Sequence, residues 1–355
     1  MGTPELKYYD WQKTFSYNAY LNMIVTSRGR GKTYGLRKQC IADFIKDGFR
    51  FVEVVRYAAE IPDVCDGYFD KLVLKNEYPG YVFRTEGGKA NGKFFIAKAP
   101  VDEDEKPKWE LLGYCVALNA QQRKKKKTFA NVKRIFFDEF ILERRTYPGY
   151  LRDEYGMLLK LIDSVARQEA GQDTPVRVYL CANACDLVNP YFVEFGIKDE
   201  PRPGYTWLQR GDVLLHYEIE EAYIEAKQDS LVGRLSRGHI GDMITNRFAN
   251  ASDDFIGVKP KDAKYKFAFV FQGATYAVWV SYLSGYYYIC DKIPNKAQEI
   301  YALTLEDSSP NLLLAKRQNY KMSKLMEMFY LNAIRYDTPA TREGFLKMCS
   351  LFGVR

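Results

Sequence analysis

The 355-residue sequence predicts an α/β domain built around a mostly parallel sheet, followed by a smaller α+β domain. The chain is longer than the ~250 to 300 residues at which a single hydrophobic core stops growing. Short apolar runs alternate with amphipathic helical segments in its first half, whereas three strand-like runs followed by two helices fill its end. We therefore expect domains at residues 1–212 and 258–355, joined by a linker or small subdomain at 213–257.

The first half of the chain repeats the order strand, loop, helix, strand. Strands are expected at residues 20–25, 49–55, 132–137 and 176–182, and helices at 33–46 and 155–167. The helices are predicted because their apolar residues recur with a period of 3.6. Residues 81–97 place glycine-containing turns between aromatic runs, which predicts an inserted hairpin.

The end of the chain has a different pattern, which follows a polar, glycine-rich stretch. Apolar runs at residues 265–271, 274–282 and 286–290 predict a three-stranded meander. Two amphipathic helices are expected to cover one face of this small sheet. Their apolar positions are Met322, Leu325, Met326, Phe329 and Ala333 in the first helix and Phe345, Cys349 and Phe352 in the second.

Charge and cysteine content narrow the class of protein. The chain has 52 basic and 45 acidic residues, and its net charge of +7 permits a polyanionic partner without requiring one. Seven scattered cysteines do not form a disulfide framework, so we expect a reducing, intracellular setting. With two histidines in the chain, a zinc site is not expected. No apolar run reaches the ~18 residues needed to span a bilayer, and no membrane partner is expected.

Between the first strand and the helix after it lies a candidate phosphate-binding loop, or Walker A motif. Its residues are Thr26, Ser27, Arg28, Gly29, Arg30, Gly31, Lys32 and Thr33. Backbone N–H groups of such a loop and of the following helix cradle phosphates. Lys32 is expected to reach the β and γ phosphates of ATP, and the Thr33 hydroxyl is expected to hold Mg²⁺. Thr26 stands where the motif usually has its first glycine, and we expect it to strain the turn.

A later apolar strand ends in two adjacent carboxylates, Asp138 and Glu139, the pattern of a Walker B motif. Successive side chains of a strand point to opposite faces, so the two can have different roles. Asp138 is expected to bind Mg²⁺, and Glu139 is expected to polarise the water that attacks the γ-phosphate. Asn183 ends the next strand. It is interpreted either as a sensor of the γ-phosphate or as a turn residue before Asn189-Pro190.

A run of basic residues lies between positions 121 and 134. Seven basic side chains and no acidic one fall there, which equals the net charge of the whole chain. Arg123, Lys124, Lys126 and Lys127 are candidate DNA contacts, because such charges neutralise phosphates. A solvated surface run explains the same pattern, and the sequence leaves both interpretations open.

These motifs and several longer segments make the chain resemble the DNA-packaging ATPases of phi29-like phages. The likeness lies at residues 17–34, 51–57, 131–140, 158–167, 181–192 and 266–290. These segments include the phosphate-binding loop, Arg56-Tyr57, the Phe-Asp-Glu-Phe of 137–140 and the Asn-Pro-Tyr-Phe of 189–192. The resemblance covers most of the chain and is weaker at 63–120 and 201–254.

The resemblance implies a role in virus assembly. A homomeric ring of five subunits would dock on the portal vertex of an empty capsid in the host cytoplasm and use ATP to move double-stranded DNA inside. In this family a structural RNA often lies between motor and portal. Arg167 matches an arginine that completes the active site of a neighbouring subunit, and Lys125 falls where a second residue acting in trans would lie. Ala58 stands where the family pattern allows a DNA-contacting lysine.

The C-terminal block resembles the RNase H fold that serves as the nuclease of larger packaging motors. A two-metal nuclease needs several converging carboxylates. The run at 265–271 contains none, and Asp291 ends the third run of the meander. We therefore expect this domain to lack nuclease activity. Aromatic and basic residues at 286–288 and 264–266 suit contact with nucleic acid, although packing of the sheet explains the tyrosines equally well.

Three other classes of protein compete with this interpretation. A P-loop DNA helicase or partition-type ATPase would share the nucleotide site but would not be expected to carry the C-terminal meander. A small-molecule kinase would need an acceptor pocket that no part of the sequence indicates. A nucleic-acid-binding protein without enzymatic activity would leave Glu139 without a role.

Overall fold

The computed structural model describes residues 8–88, 91–100, 106–123, 129–143, 149–151, 153–166, 175–219, 224, 248, 255–295, 297–310, 312–314 and 319–352. The chain forms two compact units. Unit 1 comprises Met1–Cys185 and Arg202–Asn246, and unit 2 comprises Asp186–Pro201 and Arg247–Arg355. Within the described part of the chain, no helix has both the length and the hydropathy that crossing a membrane requires.

A nine-stranded sheet forms the centre of unit 1. Its strands are β1 Leu21–Val25, β2 Arg50–Val55, β3 Tyr81–Gly87, β4 Asn91–Lys98, β5 Glu110–Ala117, β6 Val132–Asp138, β7 Arg177–Ala182, β8 Gly204–Gln209 and β9 Val213–Tyr217. They lie in the order β3-β4-β5-β2-β6-β7-β1-β9-β8. The strands from β5 to β9 in that order are parallel, and β3, β4 and β8 add antiparallel pairs at the edges. The predicted α/β fold with a mostly parallel sheet is confirmed.

Helices cover this sheet. They are α1 Trp11–Ser16, α2 Lys32–Asp47, α3 Ile61–Cys65, α4 Asp70–Leu74 and α5 Glu154–Ala166, with short 3-10 helices at Ala58–Glu60 and Leu118–Arg123. Every residue of β1 is buried, as expected for a parallel strand covered on both faces. Helix α2 buries Leu36, Cys40 and Ile41 at helical spacing. It ends at Gly48, whose φ of 71° is the left-handed conformation that favours glycine.

The structure differs from the expected elements at several places in unit 1, including the three that follow. The expected hairpin at 81–97 is an edge of the main sheet rather than an insertion, because β4 pairs with β5. Strand β5 itself was not predicted. Its Gly113 interrupts the apolar pattern, and a Cβ there would lie 2.9 Å from the carbonyl oxygen of Phe51. Strand β9 lies within the expected linker at 213–257 but pairs with β1, so that boundary is wrong.

A six-stranded sheet forms the centre of unit 2. Its strands are β10 Lys264–Phe271, β11 Ala274–Val280, β12 Tyr287–Cys290, β13 Ile300–Ala302, β14 Leu313–Leu314 and β15 Ile334–Tyr336. They lie in the order β14-β13-β10-β11-β12-β15. The expected antiparallel meander is formed by β10, β11 and β12. Three further strands extend it in parallel: β13 beside β10, β14 beside β13 and β15 beside β12.

The described residues of unit 2 form three α-helices. They are α6 Pro190–Glu194, α7 Tyr320–Tyr330 and α8 Pro339–Cys349. The second and third confirm the two expected amphipathic helices, since Met322, Leu325, Phe345 and Cys349 are buried against the sheet in one core.

The segment at 186–201, which carries α6, was expected in the first domain but lies in unit 2. The Lys347 ammonium pairs with the Asp186 carboxylate and donates to the Val188 carbonyl at 2.6 Å. The N–H of Ala340 donates to the Lys198 carbonyl at 3.1 Å. These contacts hold the segment against α8. The expected boundary at residue 212 therefore does not separate the two units.

Gly35 allows α1 to approach α2. A Cβ atom at this position would lie 2.5 Å from Cδ1 and 2.7 Å from Nε1 of Trp11. The Trp11 indole N–H is itself held by the Lys32 carbonyl at 3.0 Å. We predict that Gly35→Ala lowers the free energy of unfolding by ~1 to 3 kcal/mol, because the overlap outweighs the helix propensity that alanine gains. Urea unfolding followed by circular dichroism measures this change.

Gly257→Ala is the matched control. A Cβ atom there would meet the Cβ of Arg335 at 3.9 Å, an ordinary contact. Its free energy of unfolding should stay close to the wild-type value. Wild-type stability of Gly35→Ala would show that the Trp11 ring moves aside at no cost.

Candidate nucleotide-binding site

The candidate phosphate-binding loop connects the carboxyl end of β1 to the amino end of α2. Gly29 and Gly31 have left-handed φ angles of 90° and 73°, which residues with a side chain rarely adopt. Gly31 is also the N-cap of α2, so the unpaired N–H groups of the first helical turn face the loop. Thr26 is outside the left-handed region. The strain expected at Thr26 is therefore absent, because the turn after β1 does not need glycine.

Lys32 is buried within this loop, with 7% of its surface exposed. Its ammonium donates to the Thr26 and Ser27 carbonyls at 2.9 and 3.1 Å, to the Thr26 hydroxyl at 3.2 Å and to the Asn183 amide oxygen at 3.2 Å. Burial lowers the pKa of Lys32, and the charge of Asp138 opposes that shift. Because its four acceptors are neutral, the buried ammonium is suited to an incoming anion.

Thr33, near the start of α2, contacts Asp138, the last residue of β6, although β1 and β6 are not neighbours in the sheet. Thr33 Oγ1 donates to Asp138 Oδ2 at 2.5 Å. Strand β7 lies between β1 and β6 in the sheet, and all three are parallel. Their carboxyl ends therefore meet at one edge of the sheet. Asn183 follows β7, which places its amide oxygen within reach of Lys32. The structure thus brings Lys32, Thr33, Asp138 and Asn183 together.

Glu139 has an unusual backbone conformation. Its φ is 57°, in the left-handed region, and its N–H donates to Asp138 Oδ1 at 3.1 Å. Such a conformation costs roughly 1 to 3 kcal/mol for a residue with a side chain, and strain of this kind is concentrated at functional sites. The Glu139 side chain reaches solvent, although protein atoms around its carboxyl group remove part of that group's hydration. Partial burial of the carboxyl group and then the charge of Asp138 raise the pKa of Glu139 above its ordinary value, which strengthens it as a base.

Arg56 holds the backbone around Glu139. Its Nη2 donates to the carbonyl oxygens of Glu139 and Phe140 at 3.2 and 3.3 Å. Its Nε and Nη2 also bond to both carboxylate oxygens of Glu154, at 2.8 and 3.0 Å. The Arg56 side chain is 4% exposed and that of Glu154 is fully buried. A buried two-contact pair of this kind is rigid, so the residue after β2 and the first residue of α5 fix the conformation of Glu139.

Sequence reasoning did not assign a role in the site to Arg56 or Glu154. The available signal was an arginine directly after a buried strand, since a buried arginine needs a partner. The partner lies 98 residues away in the chain, where no local pattern identifies it.

The loop fits a phosphate group. The hydroxyl of Ser27 is enclosed, with the residue 2% exposed, and it has no hydrogen-bond partner. Leaving a buried hydroxyl unpaired costs free energy, and a phosphate oxygen in the loop would satisfy it. Thr33 and Asp138 supply the hydroxyl and carboxylate oxygens that Mg²⁺ prefers. The residues present therefore fit ATP with Mg²⁺.

The two arginines of the loop are paired with carboxylates. Arg28 pairs with Glu143 at 3.5 Å on the surface. Arg30 is 4% exposed and pairs with Glu218, the residue after β9, at 3.3 Å. Their side chains thus help to hold the loop, and the backbone of both residues remains part of the phosphate-binding turn.

Several of the predicted functional residues lie outside the described residues. These are Arg167, Lys124, Lys125, Lys126 and Lys127. Arg123 is the last residue of the 3-10 helix Leu118–Arg123. Their roles in DNA contact and in acting on a neighbouring subunit stay predictions from sequence.

Two acidic residues of unit 2, Asp307 and Asp291, have structural partners. Asp307 accepts from both N–H groups of the β10–β11 turn, at 3.1 and 2.9 Å. Asp291 forms an ion pair with Lys198, and its N–H donates to the Asp337 carboxylate at 2.9 Å. In the described ranges of the chain, no group of three or more His, Cys, Asp or Glu residues could hold a metal ion.

Comparison with known proteins finds similarity along almost the whole chain. The model of the family described as podovirus DNA encapsidation protein (Gp16) matches residues 5–348. The DNA packaging protein of Bacillus phage B103 is 30% identical over 344 residues, which cover 94% of this chain and 98% of that protein. The DNA packaging protein of Bacillus phage phi29 is 31% identical over 349 residues, which cover 96% and 98%.

Solved structures resemble the fold as a whole. A chain of the bacteriophage phi-29 viral genome packaging motor assembly has a TM-score of 0.69 at 27% identity, over 97% of this chain and 99% of that chain. A chain of the Phi-28 gp11 DNA packaging motor has a TM-score of 0.58 at 18% identity, over 98% of both chains, and shares the fold. Since the family model spans almost the full length, the chain belongs to the family of podovirus DNA encapsidation proteins (Gp16).

Proposed function

We propose that this protein is a subunit of an ATP-driven motor that packages double-stranded viral DNA. The contact between Thr33 and Asp138, beside the buried Lys32 ammonium, carries the proposal, because it joins a metal-binding pair to a phosphate-binding cation. The family and relatives called DNA packaging proteins support a coupling of hydrolysis to DNA movement. They do not favour a helicase or a partition-type ATPase. In the proposed motor, double-stranded DNA raises the rate of ATP hydrolysis by purified protein.

Each residue of the site has a part in the proposed hydrolysis. Lys32 exchanges its neutral acceptors for oxygens of the β and γ phosphates. Thr33 and Asp138 would hold Mg²⁺, which neutralises negative charge on those phosphates. Glu139 takes a proton from the attacking water, and Arg56 keeps the Glu139 backbone in place.

Strand order supports a RecA/ASCE-like ATPase domain. The central strands lie in the order β2-β6-β7-β1-β9. Strand β7 separates the strand of the phosphate-binding loop from the strand that ends in the acidic pair, and it adds Asn183 to the site. We propose that Asn183 senses the γ-phosphate, because its amide oxygen already bonds to the lysine that this phosphate would attract.

The partners are proposed from the family. They are double-stranded DNA, the portal of the procapsid, a structural packaging RNA and further copies of this chain in a homomeric ring of five subunits. A relative of similar fold belongs to a viral genome packaging motor assembly, which supports an assembly of this kind. The ring would act at the portal vertex in the host cytoplasm. Arg167 and Lys125 would act on the nucleotide of a neighbour, and Arg123, Lys124, Lys126 and Lys127 would contact DNA.

We propose that unit 2 is an RNase H-like domain that binds nucleic acid without cutting it. The strand order β12-β11-β10-β13-β14, with the first three strands antiparallel and the last two added in parallel, supports this fold. The Asp307 carboxylate, near the end of β10, is used to hold a turn. Asp291 is neutralised by Lys198. Neither carboxylate is free to hold a pair of metal ions.

The division of roles within the nucleotide site is testable. We predict that Lys32→Ala weakens ATP binding at least tenfold, because the phosphates lose their buried cation. Glu139→Gln should bind ATP like the wild type and hydrolyse it at least a hundredfold more slowly, because only the base is lost. Calorimetry measures binding, and release of phosphate measures turnover.

The pH dependence of hydrolysis provides a second measurement for Glu139. The carboxyl must be ionised to act as a base, and its raised pKa means that activity should increase with pH over a range above the ordinary glutamate pKa. For the two variants, equal loss of ATP binding in Lys32→Ala and Glu139→Gln would contradict the assigned roles.

Arg167 is proposed to complete the active site of a neighbouring subunit. A guanidinium is suited to the charge spread over the γ-phosphoryl oxygens, and such arginines contribute roughly 10³ to 10⁵ in rate. We predict that Arg167→Ala binds ATP normally but does not hydrolyse it. Mixing it with Glu139→Gln should restore some activity, because an intact Glu139 site then meets an intact Arg167. Full activity of Arg167→Ala alone, or no rescue in rings shown to be mixed, contradicts this role.

The absence of nuclease activity is tested with supercoiled plasmid and Mn²⁺. We predict no nicking by the wild-type protein, because the Asp291 carboxylate is paired with Lys198. The Asp291→Ala variant is the control for contaminating nuclease. Nicking by the wild type that disappears in Asp291→Ala would show a working nuclease in unit 2.

A further inference from the structure

Thr26 replaces the usual first glycine of the loop, and its side chain is completely buried. Its N–H donates to the carbonyl of Ala182, the last residue of β7, at 3.2 Å. The backbone at this position is not left-handed, so a side chain is accommodated without strain. The threonine therefore adds a hydroxyl group to the inside of the loop at no cost in backbone conformation.

The added hydroxyl contacts the ammonium that binds phosphate. Thr26 Oγ1 lies 3.2 Å from Lys32 Nζ and can donate its own proton to the Ser27 carbonyl at 3.4 Å. An ammonium has three N–H groups, and Lys32 has four acceptors around it. Two of them are backbone carbonyls, which any residue would supply. The Thr26 hydroxyl is a contact that glycine at this position could not make.

We propose that Thr26 is a positioning residue that holds Lys32 in the nucleotide-free arrangement and so weakens the binding of triphosphate. The inference rests on the proposed ATPase function. To bind phosphates, Lys32 must give up neutral acceptors, and a contact made only in the free form opposes binding. The same contact favours release of product, because the ammonium regains its acceptor as the phosphates leave. Thr26 thus sets the affinity of the site through Lys32.

The test compares Thr26→Val, which keeps the shape but removes the hydroxyl, with Thr26→Ser, which keeps the hydroxyl. Calorimetry measures the Kd of ATP and of inorganic tripolyphosphate, both with Mg²⁺. We predict that Thr26→Val binds both ligands roughly two- to threefold more tightly, because the three N–H groups of the free ammonium then share three acceptors instead of four. Thr26→Ser should return the affinity toward the wild-type value. An equal change in the Kd of tripolyphosphate shows that the effect acts on the phosphates, because this ligand has no adenosine.

Thr14→Val is the matched control. Thr14 is also a buried threonine of unit 1, and its hydroxyl bonds to the Tyr9 and Tyr205 hydroxyls at 2.6 and 3.0 Å. Removing that hydroxyl should leave both affinities unchanged. If Thr26→Val does not fold, Thr26→Ala removes the same hydroxyl in a smaller side chain and gives the same test.

The outcomes separate this inference from the proposed function. Unchanged or weaker binding by a folded Thr26→Val variant overturns the inference, and so does a Thr26→Ser variant that binds like Thr26→Val. Failure of the wild type to bind ATP, or binding by Lys32→Ala equal to that of the wild type, would instead contradict the nucleotide site itself.

Discussion

The enclosure of the Lys32 ammonium is the constraint on which the candidate nucleotide site depends. A buried charge is stable only where fixed dipoles or opposite charges replace the water it has lost. Here the dipoles come from the loop after β1 and from Asn183 after β7. The segments that follow β1 and β7 therefore hold the lysine together. Because Thr33 is the next residue of α2, they also fix the position of Thr33. The arrangement is ready for an anion because no acceptor of the ammonium carries a charge.

The parallel sheet brings the remaining chemistry to the same edge. Parallel strands deliver their carboxyl ends together, so Asp138 reaches Thr33 across the intervening strand β7. The Glu139 backbone is strained there, and a strained conformation persists only if the surroundings hold it. The buried pair of Arg56 and Glu154 does so through the Glu139 carbonyl. The acidic pair, the loop and the helices α2 and α5 are therefore connected by hydrogen bonds and an ion pair at this edge of the sheet.

Two carboxylates of unit 2 form contacts that stabilise its fold. The Asp307 carboxylate accepts hydrogen bonds from the β10–β11 turn, and the Asp291 carboxylate forms an ion pair with Lys198. Lys198 comes from the segment at 186–201, which follows the last strand end of the nucleotide site in the chain yet packs with the C-terminal sheet. A carboxylate that already has a cationic or N–H partner gives up that interaction if it binds a metal. These contacts support the proposal that unit 2 does not cleave nucleic acid.

The sequence by itself determined the features that depend on neighbouring residues. Apolar runs predicted β1, β6 and β7, and the loop with Lys32 and Thr33 was identified because its glycines, strand and helix are contiguous. Asp138 and Glu139 were identified in the same way. Strand β9 was expected in a linker, because the residues of β9 alone do not show that it pairs with β1. Arg56 and Glu154, 98 residues apart, had no local signal. Only the tertiary structure decided these features, and it also decided that Thr26 is unstrained, because hydrogen-bond partners and backbone angles follow from packing between distant segments.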